Sequence, residues 1–304
     1  MNLQQLTTFC TVLSEGSMTA AADKLYLTQP AVSQQIRNLE DELGVELLER
    51  GVRRVKATLQ GQLLYDYAKR ILNLTQQAEV AIQTMSQEVA GQVTLGTKNS
   101  FGLFLLSPIV GLFLKYNPRL RIELIYGTGE MILEKMKNSE VDMAILPDIR
   151  SEYELELPHF EGKFLLKEEM LLVGSGRDTS MPKIIHAKGL EAKPIVHYTE
   201  PSPRFEKMLR QQIEENGVRY EPVFAADNVG TLKRVVESGL GWGFLPSFSI
   251  KKQLRSGRLA SVEVEDLKYS SNVNLYARKT DEIQRMSEVF YRALYQQSIS
   301  GTGG

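Results

Sequence analysis

The stretch whose reading decides the N-terminal fold is Ser17-Met18-Thr19-Ala20-Ala21-Ala22-Asp23-Lys24-Leu25-Tyr26-Leu27-Thr28-Gln29-Pro30-Ala31-Val32-Ser33-Gln34-Gln35-Ile36-Arg37. Ser17 is a suitable N-cap for a helix over Met18 to Leu25, and Ala20, Ala21 and Ala22 let that helix approach its neighbours closely. Thr28 caps the next helix, which tolerates Pro30 in its first turn because the first N–H groups of a helix have no intrahelical partner. There Val32, Ile36, Leu39 and Leu43 recur on an inward face, and Gly44 ends the run. Upstream, Leu3, Leu6, Phe9, Val12 and Leu13 stripe an earlier helix that Gly16 closes. Residues 1–45 therefore read as three short helices.

Gln29, Ser33, Gln34 and Arg37 occupy the outward face of the third helix. Glutamine pairs with adenine edges, arginine with guanine or phosphate, and serine with either. A helix presenting them after a tight turn suits a recognition helix in the major groove. The same residue types decorate ordinary solvated helices, so this face alone leaves both readings open. The next segment, Leu47 to Lys56, reads as two short strands around a turn carrying Arg53 and Arg54, a wing able to reach a DNA backbone or minor groove. The formal net charge of the chain is −1, and the first 58 residues hold six Lys/Arg against seven Asp/Glu. Distribution matters more than the sum. The acids gather at Glu40-Asp41-Glu42 and four of the six bases fall between Arg50 and Lys56, so one basic edge can face phosphates.

From Thr58 to about Glu88 the sequence reads as one long helix. Leu59, Leu63, Tyr67, Ile71, Leu74, Ala78, Ala81 or Ile82, and Met85 recur every three or four residues. That narrow seam favours a two-helix partnership, with packing on its own domain as the alternative. Gly91 marks a boundary, and from Gln92 the pattern becomes α/β. Strands are expected at 93–96, 121–126, 141–145, 170–173, 222–226 and 243–245, with helices at 103–116, 131–138, 205–216 and 231–238. The alternation predicts a mostly parallel sheet with helices on both faces, divided into two lobes.

Composition narrows the function. With 304 residues, 42% hydrophobic and 24% charged, the chain is ordinary for a globular protein. No apolar run approaches a membrane span, and the first residues lack the basic flank and apolar core of a signal peptide, so a cytoplasmic location with no membrane partner is expected. The lone cysteine, Cys10, sits among Leu6, Phe9 and Leu13 at helical spacing, as a small buried hydrophobe would; a redox-sensing thiol would need exposure. His159, His186 and His197 are scattered, so neither a metal site nor a Cys/His nucleophile pair is supported. Gly239-x-Gly241-x-Gly243 lies after a helix and before a strand and fails the dinucleotide-binding fingerprint, and Trp242 beside it reads as core. No enzymatic activity, metal or cofactor is expected.

Taken together, Glu15-Gly16-Ser17-Met18-Thr19-Ala20-Ala21-Ala22, Thr28-Gln29-Pro30-Ala31-Val32-Ser33-Gln34-Gln35-Ile36 and Leu47-Leu48-Glu49-Arg50 closely resemble the DNA-binding domain of LysR-type transcriptional regulators. The likeness continues through Val141-Asp142-Met143-Ala144-Ile145 and Gly239 to Pro246, while Ala57-Thr58-Leu59-Gln60-Gly61 departs slightly from the family's usual Leu-Thr-x-Ala-Gly. The resemblance implies a winged helix-turn-helix over 1–58, a linker and dimerisation helix over 59–90, and a periplasmic-binding-protein-like effector domain. Lobe I of that domain is expected at 91–163 and 267–297, lobe II at 164–266, with the chain crossing between lobes near Lys163–Leu165 and Asp266–Lys268. A flexible tail is expected at 298–304. It further implies a tetramer on promoter DNA controlled by a small-molecule effector, with RNA polymerase a further candidate partner. By family analogy Thr28, Gln29, Pro30, Ser33, Gln34 and Arg37 approach the major groove, with Arg53 and Arg54 on the wing.

Effectors in this architecture sit at strand carboxyl ends and helix N-termini. The candidates are Lys98, Asn99, Ser100 and Phe101 after the first strand, then Thr128, Gly129 and Glu130, and Leu146 and Pro147. From the second lobe come Thr199, Glu200 and Pro201, and Asp227, Asn228 and Val229. The family often places Ser or Thr where Lys98 and Asn99 stand here. Lys98 either reinforces a preference for an anionic effector or is a solvated rim charge.

Overall fold

The computed structural model describes residues 1–49, 55–85 and 90–303. The chain forms two compact units, Met1–Ser86 with Gln296–Gly304, and Gln87–Tyr295.

In the first unit α1 (Leu3–Glu15), α2 (Met18–Leu25) and α3 (Gln29–Leu43) form where the caps dictate. Asn2 and Gln5 exchange side-chain-to-backbone hydrogen bonds of 2.8 and 2.9 Å in a reciprocal capping box. Ser17 and Thr28 accept from Ala20 and Ala31 N–H groups, and Gly16 and Gly44 end α1 and α3 in the left-handed region. Tyr26 adopts the same conformation after α2, at φ 55°, where glycine or asparagine is more usual. Phe9, Val12, Ala21, Ala22, Val32, Ile36 and Leu39 close the core beneath Leu47 and Leu48. Leu48 bridges antiparallel to Ala57, and Glu49 N–H donates to Lys56 O at 3.0 Å, so the base of the expected wing is paired. Arg53 and Arg54 lie outside the described residues.

The long helix α4 (Leu59–Met85) starts at Thr58, whose hydroxyl accepts from Gly61 N–H at 3.0 Å. A Cβ on Gly61 would lie 2.0 Å from Leu47 O, so only glycine permits this approach. Leu6 and Cys10 pack against Ala68 of α4. Burial pushes the Cys10 thiol up to about 11, which leaves it an inert hydrophobe. Leu59, Leu63, Tyr67, Leu74 and Ile82 are exposed along α4.

The second unit runs β1 (Gly91–Thr97), α5 (Asn99–Phe101), a π-helical turn over Gly102–Leu106, α6 (Ser107–Tyr116), β2 (Leu120–Tyr126), α7 (Gly129–Lys137), β3 (Met143–Pro147), α8 (Ile149–Tyr153) and β4 (Phe160–Ser175). It continues with β5 (Ile184–Ile185), a 3-10 turn, β6 (Ile195–Tyr198), α9 (Pro203–Glu215), β7 (Pro222–Ala226), α10 (Val229–Glu237), β8 (Gly243–Pro246), α11 (Ser247–Arg255), β9 (Leu259–Val264) and β10 (Ser270–Arg278). The last helix, α12, is Asp281–Gly303. The tail expected to be flexible therefore continues α12 to Gly303, each added residue gaining a hydrogen bond on a helix already nucleated. The helical stretch Asn99–Tyr116 is long and apolar enough to cross a bilayer by length and composition only, a test that the core helix of a globular protein also passes. It instead buries Phe101, Leu105, Leu106, Ile109 and Phe113.

The main sheet has the order β2-β1-β3-β10-β4-β9-β5, with β8 also on β4. It is mixed, not mostly parallel: β10 and β4 pair antiparallel with each other and with β3, β8 and β9. The sequence signal for β4 was confined to its apolar end, because Glu161, Lys163, Lys167 and Glu169 interrupt the earlier half. β4 pairs with β10 as far as Glu169, then with β8 and β9 from Met170 onward. The β6–β7 pair joins the neighbourhood of β8 through an Ile195–Trp242 bridge.

Candidate functional sites: an exposed helix face and a mixed-charge cavity

On α3, Thr28, Gln29, Pro30, Gln34 and Arg37 are exposed and Ser33 is half-buried. Gln29 donates to Ser33 Oγ at 2.7 Å and Gln34 to Asn38 Oδ1 at 2.7 Å, while Arg37 Nε reaches Ser33 O at 3.4 Å. These are local bonds between neighbours one turn apart. On the other side Gln35 turns inward and accepts from Thr8 at 2.6 Å. The face is polar and largely exposed.

In the second unit a cavity of about 720 Å³ opens where strand ends converge. Lys98 follows β1, Thr128, Gly129 and Glu130 start α7 after β2, and Tyr153 ends α8 after β3. Thr199, Glu200 and Pro201 follow β6, and Pro203, Glu206, Lys207, Arg210, Gln211 and Glu214 come from α9. Gly129 is required here, since a Cβ would stand 1.7 Å from the Tyr153 hydroxyl. Of the expected residues, Lys98, Thr128, Gly129, Glu130, Thr199, Glu200 and Pro201 share this cavity.

The others do not line it. Phe101 is fully buried and its ring tilts on Phe248 at 5.2 Å. Ser100 is buried and hydrogen-bonds Tyr198, and Asn99 is the first residue of α5. Leu146 belongs to a hydrophobic core, and Pro147 is paired with Val273 in the sheet. Val229 is core, Asn228 caps α10 by accepting from Thr231 N–H at 3.0 Å, and Asp227 reaches the cavity only through its charge on Glu200. Phe101, Leu146, Pro147 and Val229 meet packing or pairing demands set by residues far away in sequence, while Asn228 serves a local cap. Trp242 is core, with Lys193 Nζ 4.6 Å above its ring.

Reasoning from strand ends missed the α9 wall. Its signal was nevertheless in the sequence: Pro203, Lys207, Arg210, Gln211 and Glu214 fall on one face at helical spacing. Also missed was a buried polar network beside the cavity. Lys98 is buried, and its Nζ donates to the carbonyls of Glu200 at 2.8 Å and Pro201 at 3.3 Å. Burial lowers its pKa, opposed by the charges of Glu168, Glu200, Glu130 and Glu152. Glu168 accepts from Ser202 Oγ at 3.3 Å, and burial pushes its carboxyl up to about 7 against the pull of Lys98. Glu152 accepts from Tyr269 at 2.9 Å and from Arg204 N–H at 3.2 Å. Arg204 Nε also lies 3.2 Å from Glu152 Oε1, but that N–H is aligned on no acceptor, so the attraction there is electrostatic.

These two sites coincide with two family signatures. A model of the bacterial regulatory helix-turn-helix protein, lysR family, matches residues 3–62, and a model of the LysR substrate binding domain matches residues 86–298. The chain belongs to the LysR family. It is a LysR-type DNA-binding transcriptional regulator with a substrate-binding domain, and not an enzyme. LysR-family relatives include a "Probable RuBisCO transcriptional regulator" of Guillardia theta, 26% identical over 300 residues that cover 96% of this chain and 94% of the relative. Another of the same description, from Cyanidioschyzon merolae, is 28% identical over 266 residues, covering 86% and 87%. Among solved LysR-type structures, a full-length BenM variant is 26% identical with a TM-score of 0.51, covering 99% of this chain and 97% of its own. The LysR-type regulator CrgA of Neisseria meningitidis shares the fold at 22% identity and a TM-score of 0.54, covering 98% and 99%. LysR-type regulators bind DNA and oligomerise.

Proposed function

We propose that this regulator reads promoter DNA with the outward face of α3 and that a small molecule in the 720 Å³ cavity controls it. The observation that carries the reading is the face itself. Gln29, Pro30, Gln34 and Arg37 stand exposed along α3, and among the described residues the side-chain bonds of Gln29, Gln34 and Arg37 stay within their own helix. Those bonds can be exchanged for base edges at small cost. Thr28 and Ser33 would meet backbone or bases beside them, and Arg53 and Arg54 would supply wing contacts. The protein works in the cytoplasm as a dimer that associates further to a tetramer, the exposed Leu59, Leu63, Tyr67, Leu74 and Ile82 of α4 meeting a second copy. RNA polymerase is a further partner at the promoter.

The cavity volume falls within the usual range for small-molecule pockets. We divide the effector unit into lobe I over 91–163 and 267–297 and lobe II over 164–266, with the effector biasing the angle between them. Lys98 suggested an anionic effector from the sequence, but its ammonium is engaged by two carbonyls and surrounded by glutamates. A mixed-charge wall therefore replaces a simple anion hole as the feature an effector must match. Nuclease footprinting of DNA upstream of the regulator's own gene and its divergent neighbour tests the reading. A protected pseudo-palindrome that disappears with Arg37→Ala is expected; only weak, salt-sensitive coating there and no preferred site in a genome-wide pull-down would overturn it.

A further inference from the structure

We infer that the effector carries a protonated amine, seated against the carboxylates of Glu200 and Glu206. The inference rests on the effector reading above and adds the charge of the ligand. The cavity presents Glu130, Glu200, Glu206 and Glu214 against Lys98, Lys207 and Arg210. Two of the three cations are already engaged, Lys98 by the carbonyls of Glu200 and Pro201, and Arg210 by Glu206 Oε1 at 2.8 Å. The acids are not equally satisfied. Glu200 Oε2 and Glu206 Oε2 are both buried and accept no hydrogen bond. A buried acceptor without a donor is costly, more so when it carries charge, and a ligand supplying N–H donors removes that cost.

The field at Glu200 points the same way. Burial raises its pKa and the charges of Asp227 and Glu130 add to that rise, while Lys98 alone opposes it. An incoming cation would relieve this repulsion, whereas an anion would add to it. A neutral hydroxyl could satisfy one oxygen without compensating the charge. Among the described residues no group of three or more His, Cys, Asp or Glu side chains is placed to hold a metal ion, and we take the cation to be an organic ammonium. The cavity is also far larger than a bare ion requires.

The test uses the full chain with ethanolamine, cadaverine and L-lysine as amine probes and glutarate, the dicarboxylate matching cadaverine in carbon count, as the opposite charge. Calorimetric titration and thermal melting are read for each. At least one amine is expected to bind and raise the melting temperature while glutarate does neither. Glu200→Gln and Glu206→Gln should each weaken that binding about ten-fold, the loss expected from removing one charge-assisted hydrogen bond. Glu206 sits on the cavity edge of α9, so its variant remains informative should Glu200→Gln fold poorly. Preferential binding of glutarate, or no response to any of the amines, overturns the inference. An intact operator footprint in the same preparation would show that the ligand assignment had failed and not the regulator reading.

Discussion

α3 and α9 are built on the same local plan and do opposite things with it. Both carry side-chain hydrogen bonds between residues one turn apart: Gln29–Ser33 and Gln34–Asn38 on α3, Arg210–Glu206 and Gln211–Glu215 on α9. On α3 the partners are nearly all neutral and open to solvent, so each bond contributes little and can be surrendered to a base or phosphate. On α9 the ladder is charged, and the second oxygen of Glu206 is buried without a donor. The open face is complete by itself and adds a partner at small cost. The α9 bonds are as exposed as those of α3; what sets that helix apart is their charge and the one buried Glu206 oxygen.

That contrast can be broken in several places. The largest effect is expected from Gly129→Ala, whose new methyl would collide with the Tyr153 hydroxyl. It should destabilise the chain by about 3 kcal/mol in urea unfolding, against roughly 0.5 kcal/mol or less for Gln34→Ala on the open face. Equal midpoints for the two variants would dissolve the distinction.

Glu168 tests the enclosed side by pH. Its folded carboxyl is raised from the usual 4.5 to about 7, so the folded state holds the proton more tightly than the unfolded one. Its penalty is absent below about 4.5, grows through the window up to about 7 and is full above it, so stability falls as pH rises through that range. Glu168→Gln should remove roughly 2–3 kcal/mol of that slope, gaining most above neutrality. Parallel melting profiles of variant and native chain would rule this out.

Arg37→Ala addresses the open side alone. It should cost about 2 kcal/mol of specific DNA binding in a titration against the operator while leaving the melting temperature unchanged. A matching loss of thermal stability would place Arg37 in the fold and not at the groove. The smallest change is expected from Tyr26→Asn. Relief of the left-handed backbone at φ 55° should add about 1 kcal/mol to the stability of the DNA-binding unit. No gain in urea unfolding would mean that the left-handed backbone at Tyr26, whose side chain is almost fully exposed, costs nothing that asparagine recovers.

Much of this molecule was legible along the chain. Ser17, Thr28, Gly16 and Gly44 act as caps because capping is a contract between a residue and a backbone three or four positions away. The apolar stripe of α3 and the paired base of the wing followed the same local logic. β3 and β8, with continuous apolar runs, and β1 and β2, with short apolar stretches broken by polar residues, also declared themselves. β10 did not, although Val273, Leu275 and Ala277 alternate inward along it, because polar residues surround a pattern only its two neighbours make meaningful.

The cavity divides along the same line. Thr128 and Thr199 could be placed at helix starts and strand ends, and they line it. Phe101 and Val229 stood at equally plausible ends, yet each turned into a core. Which way a strand-end residue points depends on what packs behind it. The sequence by itself determined the helix-turn-helix, its outward face and the family, since those rest on spacings within one or two turns. Only the tertiary structure decided which charged side chains share one neighbourhood. It gathered Lys98 from just after β1, Glu152 from α8, Glu168 from β4 and Glu200 from the turn before α9 into one neighbourhood, where burial, and not residue type, sets how strongly each charge is disfavoured.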